Sequence, residues 1–455
     1  MLNVFFAVAA CKLTRLALRL LKRGGTALPG KVALKLCPSL LGVLSRGVRV
    51  IAVTGTNGKT TSSRIVEQAL LHAGADYFAN RSGSNLIQGI TADFAANATL
   101  FGRVKKTWAV IECDEAAAKQ VFPQLRPEVI LVTNVFRDQL DRYGEVTHTL
   151  DNIRIGLLGA PNAVVCLNAD CSLTASLAGD IPNRVVFYGV DADIYKERAA
   201  EVSDAKRCLH CGAEYAYRRV TYGHLGDWYC PSCGRARPAT DISVTDILSQ
   251  DADGARIRLS VSGEPHECYV NLPGGYNIYN AVGSVAAILE ADFPLSAALS
   301  ACGDFRCGFG RMEKFTLQGV DVRMILVKNP AGCNQVLNFL SNLEDEALFV
   351  VCLNDNYADG TDVSWIWDVN FEKLLDMGER LTGVLVSGTR AWDMAVRLKY
   401  AGLPEDKLSV HTDWGELLSA VTAQDKPVFV MPTYTAMLGL RERISRDYGC
   451  KEFWE

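Results

Sequence analysis

At 455 residues, 49% of them hydrophobic and 22% charged, the chain is long enough for two or three domains and has the composition of an ordinary soluble globular protein, which excludes wholesale disorder. A formal net charge of −4 argues against general nucleic-acid binding, so no nucleic-acid partner is expected. Fifteen cysteines, an odd number scattered through a chain with no export signal, imply mostly free thiols in a reducing, cytoplasmic setting.

The opening stretch, MLNVFFAVAACKLTRLALRLLKRGG, places its apolar run before the basic cluster, the reverse of a signal peptide, and the run is too short to span a bilayer. Leu13, Leu16, Leu20 and Leu21 share one helical face; Lys12, Arg15, Arg19 and Lys22 share another. Before Glu67 there are eleven Lys or Arg and no acid. Two readings follow for residues 1–45: a basic amphipathic helix that contacts an anionic membrane surface peripherally, or a packing helix with a solvated basic face.

Val48 to Thr54 (VRVIAVT) is a buried parallel strand by its β-branched apolar run, and Ser62 to Ala73 has helical periodicity. Between them lies GTNGKTT, Gly55 to Thr61. A glycine-rich turn entering a helix presents free N–H groups and a positive helix end to a phosphate. Thr56, Asn57, Gly58, Lys59, Thr60 and Thr61 are therefore the expected ATP contacts, with Lys59 on the β/γ phosphates and the Thr60 hydroxyl on Mg²⁺. The residue five before Gly58 is Val53, where the general P-loop pattern has Gly. The variant GTNGKTT resembles the loop of Mur ligases and folylpolyglutamate synthases.

Apolar strands then alternate with helical stretches at Thr107 to Glu112, Val129 to Thr133, Ala163 to Leu167 and Val185 to Tyr188, which implies βαβ units and a mostly parallel sheet. Functional residues of such sheets gather beyond the C-terminal strand ends, where Glu112, Asp114, Glu115, Asn134, Asp138 and Asp141 fall. The ECDE cluster is the expected second source of Mg²⁺ ligands; Glu112 matches the superfamily's metal-binding Glu and Glu115 is the fallback. A helix start rich in acids is the plainer reading. TNVFRDQLDRYG resembles the Mur-ligase segment TNxxxDHxDxxG, with Gln139 in place of the His that serves a second metal.

Cys208, Cys211, Cys230 and Cys233 form C-x2-C, 18 intervening residues, C-x2-C, with Gly after each second Cys. Four thiolates at this spacing suit tetrahedral Zn²⁺ in a structural site without an open position, on an inserted ribbon at about 206–236 that projects from the larger domain. Asn277 and Asn280 open a small-residue helix and are expected to bind the nucleotide, since paired amides can hold an adenine edge or orient phosphates; capping is the alternative. The stretch resembles the GxxNxxNxxAA of Mur ligases. FGRME closes the domain at Glu313, and Arg311 is a candidate for steadying charge on a transferring phosphoryl group.

The division expected is thus 46–313 for an ATP-binding domain and 314–455 for a second, Rossmann-like α/β domain, with strands at Val322 to Val327, Leu348 to Leu353, Gly383 to Val386, Leu408 to Val410 and Val428 to Met431. No GxGxxG follows its first strand, so it should lack a dinucleotide site of its own. In LNDNYADGTDVSWIWD, acids follow a strand end and two Trp follow the acids, the pattern of a site or interface, or of an Asx-rich turn.

Taken in order, GTNGKTT, ECDE, the four cysteines, GGYNIYN, FGRME, KNPAG and LNDNYADGTDVSWIWD resemble the MurT family, ligase subunits of bacterial lipid II isoglutaminyl synthase, which are Mur ligases without the UDP-binding domain. The resemblance implies ATP-dependent amidation of the α-carboxyl of D-glutamate in the lipid II stem peptide, through an acyl phosphate, at the inner face of the cell membrane. It also implies a heterodimeric partner, a GatD-type glutaminase that supplies ammonia and whose catalytic triad is completed by Asp355; Asp359 and Asp362 are alternatives. Lys328 and Asn329 stand where Mur ligases more often have an acid and His. Competing expectations are an amino-acid-adding ligase like folylpolyglutamate synthase and a nucleotide-gated scaffold.

Overall fold

Runs of β-branched and apolar residues, each ended by glycine or polar turns, become the strands that carry the candidate site. The computed structural model describes residues 2–20, 27–80, 84–136, 146–194, 205–251, 253–305, 311–343 and 345–449, with the backbone alone at 311 and 312. The strands of the first domain are β1 (Arg49–Thr54), β2 (Tyr77–Ala79), β3 (Trp108–Glu112), β4 (Val129–Val132), β5 (Val164–Asn168), β6 (Val185–Val190), β7 (Ala216–Tyr222), β8 (Leu225–Tyr229), β9 (Ile242–Gln250), β10 (Ala255–Val261) and β11 (Glu264–Val270). Among the described residues they make a nine-stranded sheet in the order β11-β10-β9-β6-β5-β4-β1-β3-β2, with β7 and β8 as a separate hairpin. From β2 to β9 every pairing is parallel, whereas β9, β10 and β11 form an antiparallel meander that the alternation pattern does not foretell.

β3 and β4 are buried along their whole length, and β1 at all but Arg49, because helices cover both faces of a parallel sheet. The helix Lys59–His72 packs on Gly275–Glu290 and Leu295–Asp304, and Glu115–Leu125 packs on Val146–Leu158. The first helix, Leu2–Leu20, buries Ala7, Val8 and Cys11 against Ala27–Leu36 and Ile87–Asn97. Leu21 and Lys22 lie outside the described residues.

The second domain holds β12 (Arg311–Leu317), β13 (Val320–Ile325), β14 (Ala347–Cys352), β15 (Leu381–Ser387), β16 (Leu408–Val410) and β17 (Val428–Pro432). Their order is β12-β13-β17-β14-β15-β16, antiparallel only at the β12–β13 pair. Period-2 alternation divides its core in two: Phe349 and Val351 of β14 join one apolar cluster while Leu348, Val350 and Cys352 join the other. β12 runs across positions 313 and 314, where the motifs divide the chain.

Candidate active site

The phosphate loop is shaped by two glycines and held by the strand beside it. Gly55 (φ +118°) and Gly58 (φ +86°) turn the chain from β1 into the helix Lys59–His72, and Gly58 is its N-cap. A Cβ on Gly55 would lie 2.3 Å from Thr133 Oγ1 and 2.7 Å from the Asn134 carbonyl oxygen, and one on Gly58 would lie 2.0 Å from Asn280 Oδ1, so a side chain at Gly55 meets backbone and one at Gly58 must displace Asn280. The Thr56 N–H donates to the Asn134 carbonyl (2.8 Å), the Asn57 N–H to Asn134 Oδ1 (2.9 Å), and Asn134 Nδ2 to the Asn57 carbonyl (3.0 Å). Asn134 thus clamps the loop with both ends of its amide. From the opposite side come Asn277 and Asn280: Asn280 Nδ2 donates to Asn277 Oδ1 (3.0 Å), and Asn277 Nδ2 to the Pro273 carbonyl (2.7 Å).

Lys59 is buried and carries its ammonium to the carbonyls of Gly55 and Thr56 and to Glu115 Oε2, 3.1 Å away. Burial pushes the Glu115 carboxyl above its ordinary range, and the Lys59 charge offsets part of that rise. The acid of the ECDE cluster that touches the lysine is therefore Glu115. Glu112 ends β3 nearby, its backbone pinned at N–H and C=O by the side-chain amide of Asn80 (2.9 and 2.7 Å), and Asp114 caps the next helix by accepting from the Ala116 N–H (3.0 Å). Asn80 follows the short strand β2, for which the sequence offers no signal.

One cleft of about 530 Å³ brings these groups together, within the size range of small-molecule sites. Thr56, Asn57, Gly58, Lys59, Thr60, Thr61, Asn134, Asn277, Asn280 and Glu112 all line it, and the second domain closes it with Lys328, Asn329 and Tyr357. Asn329 Nδ2 donates to Asn57 Oδ1 (3.2 Å) and so ties the two domains at the loop itself. Of the remaining site expectations, Asp359 also lines this cleft, whereas Asp355 and Asp362 do not. Asp355 lies on the exposed loop after β14, accepting from Thr389 Oγ1 (3.0 Å) and paired with Arg390 (3.3 Å), with about a third of its side chain open to solvent. Asp359 is buried at the cleft wall, where it accepts from the Thr435 N–H (2.7 Å), and Asp362 accepts from the Ser364 N–H (2.8 Å) within its own turn. The Arg311 side chain, Asp138, Gln139 and Asp141 lie outside the described residues.

The four cysteines converge. Sγ atoms of Cys208, Cys211, Cys230 and Cys233 lie within 4.8 Å of one another, with Cys208 to Cys233 at 3.7 Å and Cys211 to Cys230 at 3.4 Å. Tetrahedral thiolates on zinc, each about 2.3 Å from the metal, would stand about 3.8 Å apart, so this cluster fits that ion. Gly212 and Gly234 (both φ +76°) shape the two knuckles. Burial opposes ionisation of Cys208, but the N–H groups of Cys211 and His210 bring its thiol below the ordinary range. The knuckles are exposed, yet the hairpin beneath them is anchored rather than free: the Gly226 N–H donates to the Asp170 carbonyl (3.0 Å) and Trp228 Nε1 to the Ala169 carbonyl (3.0 Å). Buried Asp170 holds Arg237 and the Tyr279 hydroxyl (both 2.6 Å), which locks the insertion to the nucleotide-side helix. Through this docking Tyr222 of β7 reaches the cleft, stacked on Phe136 with ring centroids 5.7 Å apart, a contribution that the cysteine spacing does not reveal.

Residues 53–224 match the Mur ligase middle domain and residues 326–437 the MurT ligase C-terminal domain. The chain is similar to the lipid II isoglutaminyl synthase (glutamine-hydrolyzing) subunit MurT of Streptococcus pneumoniae, 33% identical over 99% of both chains. It is also similar to that of Staphylococcus aureus, 30% identical over 97% of this chain and 98% of that one. Its fold is similar to a pseudomurein peptide ligase type C from Methanothermus fervidus, with a TM-score of 0.67 and 19% identity over 88% of this chain and 79% of that one. The two-domain α/β architecture, the GTNGKTT cleft and the full-length match together place it: the chain is a ligase of the Mur type and belongs to the family of MurT subunits of lipid II isoglutaminyl synthase.

Proposed function

We propose that the chain uses ATP to convert the α-carboxyl of D-glutamate in the lipid II stem peptide to the amide of D-isoglutamine, with ammonia from a GatD-type glutaminase bound as its partner. The observation that carries this reading is the single cleft in which the phosphate loop, Lys59 and Glu112 face residues of the second domain. A carboxylate is a poor electrophile, and converting it to an acyl phosphate, a mixed anhydride, is what a P-loop can add to the chemistry. The loop N–H groups and Lys59 hold the nucleotide's phosphates, for which Lys59 leaves Glu115. A carboxylate oxygen of the substrate attacks the terminal phosphorus and ADP departs. Ammonia then attacks the acyl carbon, phosphate leaves with the C–O bond, and the ammonia-derived nitrogen loses a proton to give the amide.

Thr60 and Glu112 would hold the magnesium ion, which supplies neutralisation of charge on the phosphoryl group. Arg311 is assigned to that charge by its motif, and the four cysteines to a structural zinc ion. Asp355, exposed on its loop, would orient the partner's His and stabilise its imidazolium, in exchange for its present pairing with Arg390. Work on a lipid-linked precursor places the protein at the inner face of the cell membrane; among the described residues no helix is long and apolar enough to cross it. The test is phosphate release by the purified complex, which should require glutamine and lipid II together. A nucleophile panel in which an amino acid, rather than ammonia, supports turnover would favour an amino-acid-adding ligase instead.

A further inference from the structure

We propose that the outward face of the first helix, Leu2–Leu20, is a docking surface for a bilayer carrying anionic headgroups; the inference rests on the functional reading above, whose substrate is lipid-linked. This helix packs against the domain with its small side chains, burying Ala7, Val8 and Cys11. Five of its large ones face solvent, Leu2 at 73% exposed, Phe6 at 55%, Leu13 at 65%, Leu16 at 54% and Leu20 at 78%, while Val4, Phe5 and Leu18 are half-buried. At 3.6 residues per turn these five fall within an arc of about 80°, so they form one stripe along the helix. A helix serving only to pack would turn leucines inward, since burying them is the main favourable term available to it. The stripe continues onto a neighbouring turn, where Phe101 is 83% exposed and its ring lies 5.8 Å from that of Phe5.

The charge around the stripe selects the occupant. Arg19 on this helix, Lys31 and Lys35 on the helix packed against it, and Arg103 and Lys105 beside Phe101 are all exposed. Asp93, the acid that contacts the helix, is largely covered and paired with Arg15 at 3.6 Å. Leucine and phenylalanine flanked by cations, with the nearby acid neutralised, are the complement of an anionic interface, where the apolar stripe enters the acyl boundary and the cations stay among the headgroups. Docking there would hold the chain at the membrane that carries the lipid-linked substrate, without a spanning segment.

The test is flotation of the full chain, without nucleotide, on vesicles of phosphatidylcholine alone and of phosphatidylcholine mixed with phosphatidylglycerol. The wild type should float with the anionic vesicles and weaken with salt. Leu13→Glu/Leu16→Glu should lower the bound fraction at least about tenfold, and each of Arg19→Ser, Lys31→Ser and Lys35→Ser roughly fivefold or less. Phe6→Trp should shift its emission to shorter wavelength on anionic vesicles. Because the altered side chains are exposed, circular dichroism and melting should match the wild type. Flotation absent with both vesicles, or equal for the double variant, overturns the proposal. So does a wild type that self-associates in sedimentation velocity while the double variant is monomeric, since a second copy would then cover the stripe. Amidation of lipid II in detergent micelles is measured on the same batch after adding the partner glutaminase, glutamine, ATP and Mg²⁺: loss of flotation with amidation intact sinks this inference alone, and flotation without amidation sinks the functional reading alone.

Discussion

The contact between Gly58 and Asn280 can be weighed by a double-substitution cycle. In Gly58→Ala the new Cβ would sit 2.0 Å from Asn280 Oδ1 and 2.9 Å from Asn280 Cγ, at a backbone φ of +86°. An alanine held in that left-handed region costs about 1–2 kcal/mol. Asn280 must also swing aside, and because it and Asn277 are both 5% exposed, the broken 3.0 Å hydrogen bond leaves a buried acceptor without its donor. That adds about 1–3 kcal/mol, so Gly58→Ala should destabilise the nucleotide-free chain by about 2–5 kcal/mol. With Asn280→Ala already in place the obstacle is gone and only the backbone term of about 1–2 kcal/mol remains. Urea unfolding of the four proteins gives the cycle, and the interaction energy should be about 1–3 kcal/mol. Equal costs of Gly58→Ala in the two backgrounds would refute the reasoning, because helix Gly275–Glu290 would then not press on the phosphate loop.

Asp355→Asn should cut glutamine hydrolysis by the complex about a thousandfold or more, as losing an orienting carboxylate does, while amidation with free ammonia persists; loss of both activities would contradict the assignment. The purified chain should contain zinc by elemental analysis, and Cys208→Ser/Cys230→Ser should lose it, lower the melting temperature and, because the hairpin carries Tyr222, weaken ATP binding measured by calorimetry. An unchanged ATP affinity would break that link. Asp93 has its carboxyl raised by burial, with Arg15 only partly opposing, from 3.8 to about 6. Between those values the folded chain keeps a proton that the unfolded chain releases, so stability is lost as pH rises through the window, by up to about 3 kcal/mol. Asp93→Asn should flatten the melting temperature between roughly pH 4 and 7, and an unchanged slope would contradict the burial argument.

The parallel strands and the phosphate loop were legible because both depend on local pattern: a β-branched run is buried on two faces wherever it sits, and GTNGKTT can only turn sharply into a helix. Side-chain partnerships were less so. Nothing in ECDE says that Glu115, first residue of its helix, meets Lys59 while Glu112 is steered by Asn80, since that choice depends on how β3 lies beside β1. Asn134 stood out by position, but its grip on the loop backbone is a tertiary fact. The link from Asn329 to Asn57 spans 272 positions and depends on how the domains meet. The sequence flanking the four-cysteine insertion is polar and strand-like, but half-exposed polar strands carry no signal of their partners, so the antiparallel meander of β9, β10 and β11 on the sheet edge is not legible. Heptad-like spacing in the first helix told which residues share a face, but not which face turns outward.

The most direct measurement combines the chain, its glutaminase partner, ATP, Mg²⁺, lipid II and glutamine labelled in its amide nitrogen, followed by tandem mass spectrometry of the stem peptide. The account predicts a single labelled nitrogen as an amide at the α-carboxyl of D-glutamate, with ADP and phosphate released in equal amount and neither formed by Lys59→Ala. A stem peptide that keeps its free α-carboxyl while ATP is consumed, or a labelled amide formed equally well by Lys59→Ala, would contradict it.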